Sequence, residues 1–245
     1  MAPQTSRRTI LSTLVTIYKI IFPLRIIRYY YYRLEQFTNR MIDETDHNHN
    51  KILDIGAGTA PLRAKFIHAI YSASDVIQND ERTIDIVADV NEGLPMIKNN
   101  TYDAIISIQV IEHLKLPDVF FKECFRILKP KGKLYLSTNL CYQEHMVPND
   151  FFRFTRYGLR YLGESHGLTV THLEPQGGIF HTLGLILDII LVKQFTRENS
   201  IPYYMMIVLT TPMRFVYNTL FLFLDKFDRD KKWTVNYEVI YQKPN

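Results

Sequence analysis

Residues 51–62, which read KILDIGAGTAPL, decide the fold of this chain. The apolar run at 52–55 predicts a buried strand, and the glycines directly after it predict a tight turn that opens a helix. Gly56 and Gly58 let the backbone approach a bound ligand where a Cβ atom would clash. The stretch therefore predicts the first strand, ligand loop and helix start of a nucleotide-binding α/β fold.

Two residues in this stretch distinguish between ligands. Asp54 places a carboxylate beside the turn, where it would repel a pyrophosphate and favour a cationic or hydroxyl-rich ligand. Pro61 stands where the dinucleotide pattern has its third glycine. Both departures weaken the alternative of an NAD-dependent oxidoreductase. They favour S-adenosylmethionine, which carries an ammonium, a sulfonium and a ribose diol but no phosphate.

Strand and helix patterns alternate through the rest of the chain. The further predicted strands are 73–77, 84–90, 102–108, 133–140, 169–174 and 234–242, and the first predicted helices are 62–71 and 116–128. Such alternation implies parallel strands with right-handed crossovers and a ligand beyond their carboxyl ends. Asp75, Asp89 and Gln109 all fall at predicted strand ends, so we expect them to point into one crevice.

Five segments resemble the class I S-adenosylmethionine-dependent methyltransferases, in particular their small-molecule type 11 branch. The segments read ILDIGAGTAPL at 52–62, SASDV at 72–76, IDIVADVNEGLP at 84–95, TYDAIISIQVIEHL at 101–114 and FRILKPKGKLYLST at 125–138. The resemblance implies a Rossmann-like fold with a mostly parallel seven-stranded sheet flanked by helices. An N-terminal helical extension and a helical insertion before the last strand would be additions to it.

The resemblance also implies the cofactor contacts. The implied cofactor-binding residues are Asp54, Gly56, Ala57, Gly58, Asp75, Val76, Asp89, Val90, Gln109 and Ile111. The loop residues would line the methionine part of S-adenosylmethionine, and Asp75 would hold the ribose hydroxyls. Asp89 would accept from the adenine amino group, and Gln109 with Ile111 would close the site.

Residues 143–159 read QEHMVPNDFFRFTRYGL and resemble the acceptor side of methyltransferases encoded near bacterial surface-polysaccharide genes. A hydroxyl acceptor loses its proton during transfer, and histidine is the usual base. His145 is the candidate catalytic residue, with His113 next, although each could instead be an ordinary polar loop residue. Arg153 could clamp an anionic acceptor or pair with a nearby carboxylate.

Composition argues against several classes of function. The two cysteines, Cys124 and Cys141, match neither a disulfide framework nor a metal-ligand pattern, so we expect a reducing cytosol and no metal. Basic residues are spread thinly over the core without interleaved aromatic side chains, which argues against nucleic acid. Residues 109–112 also lack the Asn/Asp-Pro-Pro-aromatic segment of enzymes that methylate the amino groups of bases.

Two flanks accompany the predicted methyltransferase domain at 48–245. Residues 1–47 form a basic, aromatic-rich extension, typical of an interfacial helix or of a lid. The insertion at 179–232 is apolar, but charged residues and a proline break its runs short of the roughly 20 residues that cross a bilayer. We expect peripheral contact with the cytoplasmic face of a membrane through 9–34 and 179–224, or else packing of these segments in the core or a dimer.

The leading hypothesis is O-methylation of a small-molecule acceptor, a sugar or a lipid-linked glycan. A quinone or other lipid C- or O-methyltransferase is the second hypothesis among enzymes. A non-catalytic cofactor-binding or membrane-associated scaffold is the alternative of a different class, and the intact cofactor residues argue against it.

Overall fold

The computed structural model describes residues 24–192 and 200–245, so residues 1–23 of the predicted basic extension lie outside the described residues. The chain divides into two compact units. Among the described residues, the first unit holds 24–35 and the insertion, and the second holds Gln36–Gln176 and Trp233–Asn245. The sequence placed the boundary after residue 47. The second unit begins earlier because Phe37 and Met41 are buried in its core.

A seven-stranded sheet forms the second unit. Its strands are β1 (Lys51–Ile55), β2 (Ile70–Asp75), β3 (Ile86–Val87), β4 (Tyr102–Ile108), β5 (Leu128–Asn139), β6 (Thr169–Pro175) and β7 (Asn236–Gln242). They lie in the order β3-β2-β1-β4-β5-β7-β6. All pairs are parallel except the two that involve β7. The predicted fold class is confirmed, and the strand order reverses between β1 and β4, where such sheets open a crevice.

Helices cover both faces of this sheet. The α-helices of the described residues are α1 (Leu24–Ile27), α2 (Tyr29–Thr45), α3 (Pro117–Ile127), α4 (Arg156–Ser165), α5 (Ile179–Val192) and α6 (Ile201–Leu224). On one face, α3 and α4 bury Phe120, Phe121 and Leu159 against the sheet. On the other face, the second half of α2 packs its apolar side chains on β1, β4 and β5.

Glu44, near the end of α2, ties that helix to the sheet. Its carboxylate accepts hydrogen bonds from Lys133 at 2.9 Å and from the Tyr135 hydroxyl at 2.8 Å. Burial raises the pKa of Glu44, but hydrogen bonds from Lys133, Tyr135 and Arg40 outweigh it and lower the pKa to about 2. The Glu44 side chain is therefore ionised at neutral pH.

The helix predicted at 62–71 is wrong. These residues form only a 3-10 turn at Arg63–Lys65, and β2 already begins at Ile70. The carboxylate of Asp46 accepts hydrogen bonds from the backbone N–H groups of residues 67–69, at 2.8 to 3.2 Å. Those groups are thereby satisfied without a helix.

In the first unit, α5 and α6 form a hairpin whose polar groups are satisfied internally. At the start of α5, Asp225 accepts hydrogen bonds from the backbone N–H of Gly178 at 2.7 Å and of His181 at 3.2 Å. Midway along the pair, Asp188 of α5 accepts from Arg214 at 2.7 Å and also from Tyr217.

In α6 the buried side chains are polar and the exposed ones are apolar, which is the reverse of a typical helix in a soluble protein. Thr210, Thr211 and Asn218 are buried, whereas a stripe of large apolar side chains is exposed. The stripe consists of Ile201, Tyr204, Met205, Val208, Leu209, Met213, Val216, Leu220 and Phe223. Its spacing of three and four residues follows one face of the helix. Pro212 and Arg214 interrupt the apolar sequence of α6. Even so, α6 alone among the described helices is long and apolar enough to cross a membrane, with 24 residues and a mean hydropathy of 1.4.

Candidate active site

The loop after β1 turns sharply because two glycines adopt left-handed conformations, with φ of 75° at Gly56 and 59° at Gly58. The N–H groups of Gly56 and Ala57 both donate to the Ser74 carbonyl, at 2.8 and 3.1 Å, which holds the loop on β2. A Cβ atom on Gly56 would lie 2.4 Å from a methyl group of Val110, whereas one on Gly58 would meet no atom within 4 Å. The loop is thus packed at Gly56 and open at Gly58.

Asp54 lies at the end of β1, directly before this loop, and is only 4% exposed. Its carboxyl accepts a hydrogen bond from the Tyr71 hydroxyl at 2.5 Å. Burial raises the pKa of Asp54 to about 7, because the Tyr71 bond only partly offsets the desolvation and the charge of Asp75 adds to it. The carboxyl is thus buried directly before the loop, and its contact with a ligand stays a prediction.

Asp75 ends β2 beside the open part of the loop, as the sequence predicted. Its two carboxylate oxygens accept from the backbone N–H groups of Gly58 at 2.8 Å and of Val76 at 2.7 Å. The neighbouring Val76 side chain is 55% exposed. Gly58, Asp75 and Val76 therefore form one accessible group at the carboxyl ends of β1 and β2.

Asp89 and Val90 differ in environment: Asp89 makes polar contacts, whereas Val90 is buried. One oxygen of Asp89 accepts from the backbone and side-chain nitrogens of Asn91, at 2.9 and 2.8 Å, and so caps the 3-10 helix Val90–Glu92. The Val90 side chain is buried in the main core. Asp89 follows β3, which is shorter than the predicted strand 84–90.

Gln109 and Ile111 follow β4 but do not both face the crevice. The Gln109 side chain donates to Ser137 and to Asn236, both at 2.8 Å, so neighbouring strands hold its amide in place. Ile111 is fully buried in the main core. Gln109 therefore lies at the end of β4, whereas Ile111 lies in the core, and the contact of either residue with a cofactor stays a prediction.

Glu112 anchors a second polar cluster after β4. Its carboxylate is fully buried and accepts from Thr138 at 2.8 Å and from Asn139 at 2.9 Å. Burial raises the pKa of Glu112. The Glu112 carbonyl accepts from the backbone N–H groups of Phe151 and Phe152, at 2.9 and 3.2 Å. The predicted acceptor segment is thereby attached to the carboxyl end of β4.

His113 and His145 lie side by side in this cluster, with ring centroids 4.7 Å apart and ring planes at 77°. The Nδ1 atom of His113 is 2.6 Å from the carbonyl oxygen of Asn149, and that of His145 is 3.2 Å from the carbonyl oxygen of Gln143. The structure thus brings together the two histidines that the sequence singled out.

Asp150 lies beside both rings. Its oxygens are 3.8 Å from Nδ1 of His113 and 3.4 Å from Nδ1 of His145. Arg153 donates two hydrogen bonds of 2.7 Å to the same carboxylate, and these bonds hold the pKa of Asp150 well below its usual range. Of the two roles considered for Arg153, the structure shows the pairing with a carboxylate.

Sequence reasoning missed the part of Glu112 in this cluster. The residue had only one signal, a carboxylate that follows the apolar run of β4. Its hydrogen-bond partners lie on β5, and its neighbour His145 lies beyond β5. Their proximity follows from the sheet order and not from any local spacing.

A family model described as "Methyltransferase domain" matches residues 26–181. The chain is similar to the ubiquinone biosynthesis O-methyltransferase of Nitrosococcus oceani, with 30% identity over 36% of this chain and 34% of that protein. It is also similar to cycloartenol-C-24-methyltransferase 1 of Oryza sativa subsp. japonica, with 28% identity over 41% of this chain and 33% of that protein.

The chain spans about a third of the length of these curated relatives. Among solved structures, a SAM dependent methyltransferase from Archaeoglobus fulgidus is similar in fold, with a TM-score of 0.55 and 14% identity. That similarity covers 86% of this chain and 94% of the other.

Proposed function

The chain belongs to the methyltransferase domain family, and on that premise we propose that it transfers a methyl group from S-adenosylmethionine to a hydroxyl oxygen of a quinol-type or other lipid acceptor. The observation that carries the acceptor class is the similarity to two relatives, of which one is named for ubiquinone biosynthesis and the other for cycloartenol. A sugar or lipid-linked glycan is the second candidate, favoured by the resemblance of residues 143–159 to the polysaccharide-associated segment.

The loop and its surroundings fit S-adenosylmethionine. The space beside Gly58 is open to a ligand, since a Cβ atom there would meet no other atom within 4 Å. Asp75 lies beside it with a carboxylate that can accept from a ribose diol, and exposed Val76 offers apolar surface to an adenine ring. Asp89 supplies a further acceptor. When bound, the cofactor supplies an electrophilic methyl group on a sulfonium.

The acceptor side would lie at the cluster that follows β4. Phe151 and Phe152 are each 38% exposed and offer apolar surface to an acceptor ring. His145 is the candidate base that takes the hydroxyl proton, since the carbonyl of Gln143 occupies its Nδ1 and leaves Nε2 to accept. Asp150 beside the ring would stabilise the imidazolium that forms.

We further propose that the first unit binds a membrane surface on the cytoplasmic side. The exposed apolar stripe of α6 supports this, because such a stripe would otherwise be in water while Thr211 and Asn218 are buried. Most of the predicted membrane-contact segment 179–224 lies on the hairpin of α5 and α6. Of the other predicted contact segment, 9–34, residues 9–23 lie outside the described residues, and the rest lies on α1 and the first half of α2.

A co-sedimentation assay with vesicles of phosphatidylcholine and anionic phosphatidylglycerol tests the membrane contact. Leu209→Asp removes one of the most exposed residues of the stripe, at 70%, and should reduce binding. Tyr161→Asp is the matched control, because this side chain is equally exposed at 70% but lies on α4 in the second unit. Equal binding of both variants would contradict the proposal.

A methyl-transfer assay with labelled S-adenosylmethionine tests the activity and the acceptor class together. The panel contains catechols and quinols with short prenyl tails and, separately, sugars and a lipid-linked glycan. We expect labelled product from the phenolic acceptors. Product from sugars alone would overturn the acceptor class. Cofactor binding without product from any acceptor would support the non-catalytic scaffold instead.

A further inference from the structure

Glu112, His113 and His145 bring two imidazoles and one carboxylate together. Each residue offers one ligand atom, and the three atoms lie within 4.8 Å of one another. Two histidines and a glutamate are a known ligand set for catalytic zinc, which keeps a further coordination position open. We propose that these three residues bind a divalent transition-metal ion of the zinc type beside the acceptor segment.

The hydrogen bonds of the two rings orient them as metal ligands. Nδ1 of His113 contacts the Asn149 carbonyl at 2.6 Å, and Nδ1 of His145 contacts the Gln143 carbonyl at 3.2 Å. Because a carbonyl only accepts, each Nδ1 carries the proton and each Nε2 keeps a lone pair. Histidines that bind metals usually donate their other N–H to a carbonyl or carboxylate in this way.

Glu112 supplies a carboxylate without a cationic partner. It is fully buried, and the groups that donate to it are the neutral side chains of Thr138 and Asn139. Among the described residues, no lysine or arginine forms an ion pair with Glu112. The nearby Arg153 donates hydrogen bonds from both of its terminal nitrogens to Asp150. Buried carboxylates are as a rule paired or bound to a metal, so this one favours a cation between it and the rings.

Imidazole nitrogens select the type of ion. Two of the three donors are nitrogens, which suit zinc, cobalt or iron, whereas magnesium and calcium prefer all-oxygen sets. No metal-ligand spacing is visible in the sequence, because only the fold brings His145 close to Glu112 and His113.

The use of such an ion rests on the proposed function. An acceptor hydroxyl at the open position would have its pKa lowered, and its proton would pass to solvent. The oxygen then attacks the methyl carbon while the carbon–sulfur bond breaks, which yields a methyl ether and S-adenosylhomocysteine. In this arrangement His145 would be a ligand and not the base.

Calorimetric titration of chelator-treated, tag-free protein with Zn²⁺ tests the site without any assay of activity. We expect one ion per chain, and the d–d absorption of bound Co²⁺ should report nitrogen ligands. His145→Ala and His113→Ala should each weaken binding by at least about a hundredfold, more than the loss of a hydrogen-bond partner of a ligand costs. His172→Ala is the matched control, because that ring also contacts a glutamate, Glu238, at 3.2 Å and should leave binding unchanged.

Wild-type protein that binds no Zn²⁺, or His145→Ala protein that binds it equally well, would overturn the proposal. Loss of methyl transfer in His145→Ala with no metal bound to the wild type would also overturn it and would leave His145 as the base. A separate titration with S-adenosylmethionine distinguishes the two proposals. Zn²⁺ binding without cofactor binding would refute the proposed function and leave the metal site standing.

Discussion

Replacing Asp54 by Asn should change how the stability of the protein depends on pH. In the folded protein the pKa of Asp54 is about 7, because its carboxyl is buried beneath the glycine loop. In an unfolded chain the pKa of aspartate is about 3.9. Between these two values the folded form holds a proton that the unfolded form has lost. The free energy of unfolding therefore falls as the pH rises through this window.

The magnitude follows from the pKa difference. One bound proton changes the free energy of unfolding by about 1.4 kcal/mol per pH unit, so the step from about pH 5 to about pH 7 removes roughly 2–3 kcal/mol. This contribution is complete below the unfolded pKa and is lost as the pH passes the folded pKa. Asparagine cannot ionise, so the difference between wild type and Asp54→Asn should carry the whole effect.

Urea unfolding of both proteins at several values between about pH 5 and about pH 8 measures this difference. Histidines also titrate in this range, but they are present in both proteins and cancel. Asp43→Asn is the control, because that side chain is exposed and forms no ion pair among the described residues, so it should show no trend. A wild-type minus Asp54→Asn difference that stays constant with pH would refute the reasoning, since it would mean that Asp54 is already ionised in the folded protein.

Three further predictions concern the loop and the sheet. Gly56→Ala should destabilise the fold by about 2–4 kcal/mol in urea unfolding, because left-handed strain adds to a clash with Val110, whereas Gly58→Ala should cost only about 1–2 kcal/mol; equal losses would contradict the difference in packing. Asp75→Ala should weaken S-adenosylmethionine binding about tenfold to a hundredfold in calorimetry, the value of a charge-assisted hydrogen bond, and unchanged affinity would remove Asp75 from the site. Glu44→Gln should lose stability relative to wild type above about pH 4.5 but not below about pH 2, because the pKa of Glu44 is lowered and its contribution disappears as the pH falls through the folded value; a pH-independent difference would contradict this.

The sequence predicted best what local chemistry decides. The apolar run of β4 matches its predicted bounds, and the glycine turn after β1 has the left-handed conformations that its residues suggested. The predicted helix at 62–71 failed because the N–H groups of residues 67–69 donate to the carboxylate of Asp46, which directly follows α2. No pattern within residues 62–71 contains that information.

The candidate site likewise contains some residues whose position the sequence predicts and others whose position depends on the fold. Asp75 and the loop lie together because the ends of adjacent parallel strands meet at one edge of the sheet, which a motif can predict. The burial of Asp54 and Ile111 could not be predicted, because the depth of a side chain in the core depends on its packing partners, such as Tyr71 beside Asp54. The contact of His113 with His145 depends on residues from two separate segments.

For the insertion, the sequence predicted the helices but not which of their faces is exposed. Its bounds at Ile179–Val192 and Ile201–Leu224 match the predicted apolar runs. Composition alone did not indicate which side of α6 is exposed. The orientation is set by Asp188, which draws Arg214 and Tyr217 toward α5 and leaves the apolar stripe outside.

The position of β7 has a consequence for the biosynthesis of the protein. β7 lies between β5 and β6, although both of those strands precede it in the chain. The Gln109 amide at the end of β4 donates to Asn236 at the start of β7. A ribosome-bound chain halted before residue 236 would therefore leave one edge of β5 and the whole of β6 unpaired, and would leave Gln109 without its partner on β7. We expect the nascent protein to acquire its cofactor site only when β7 has left the ribosome and inserted between strands that were made before it.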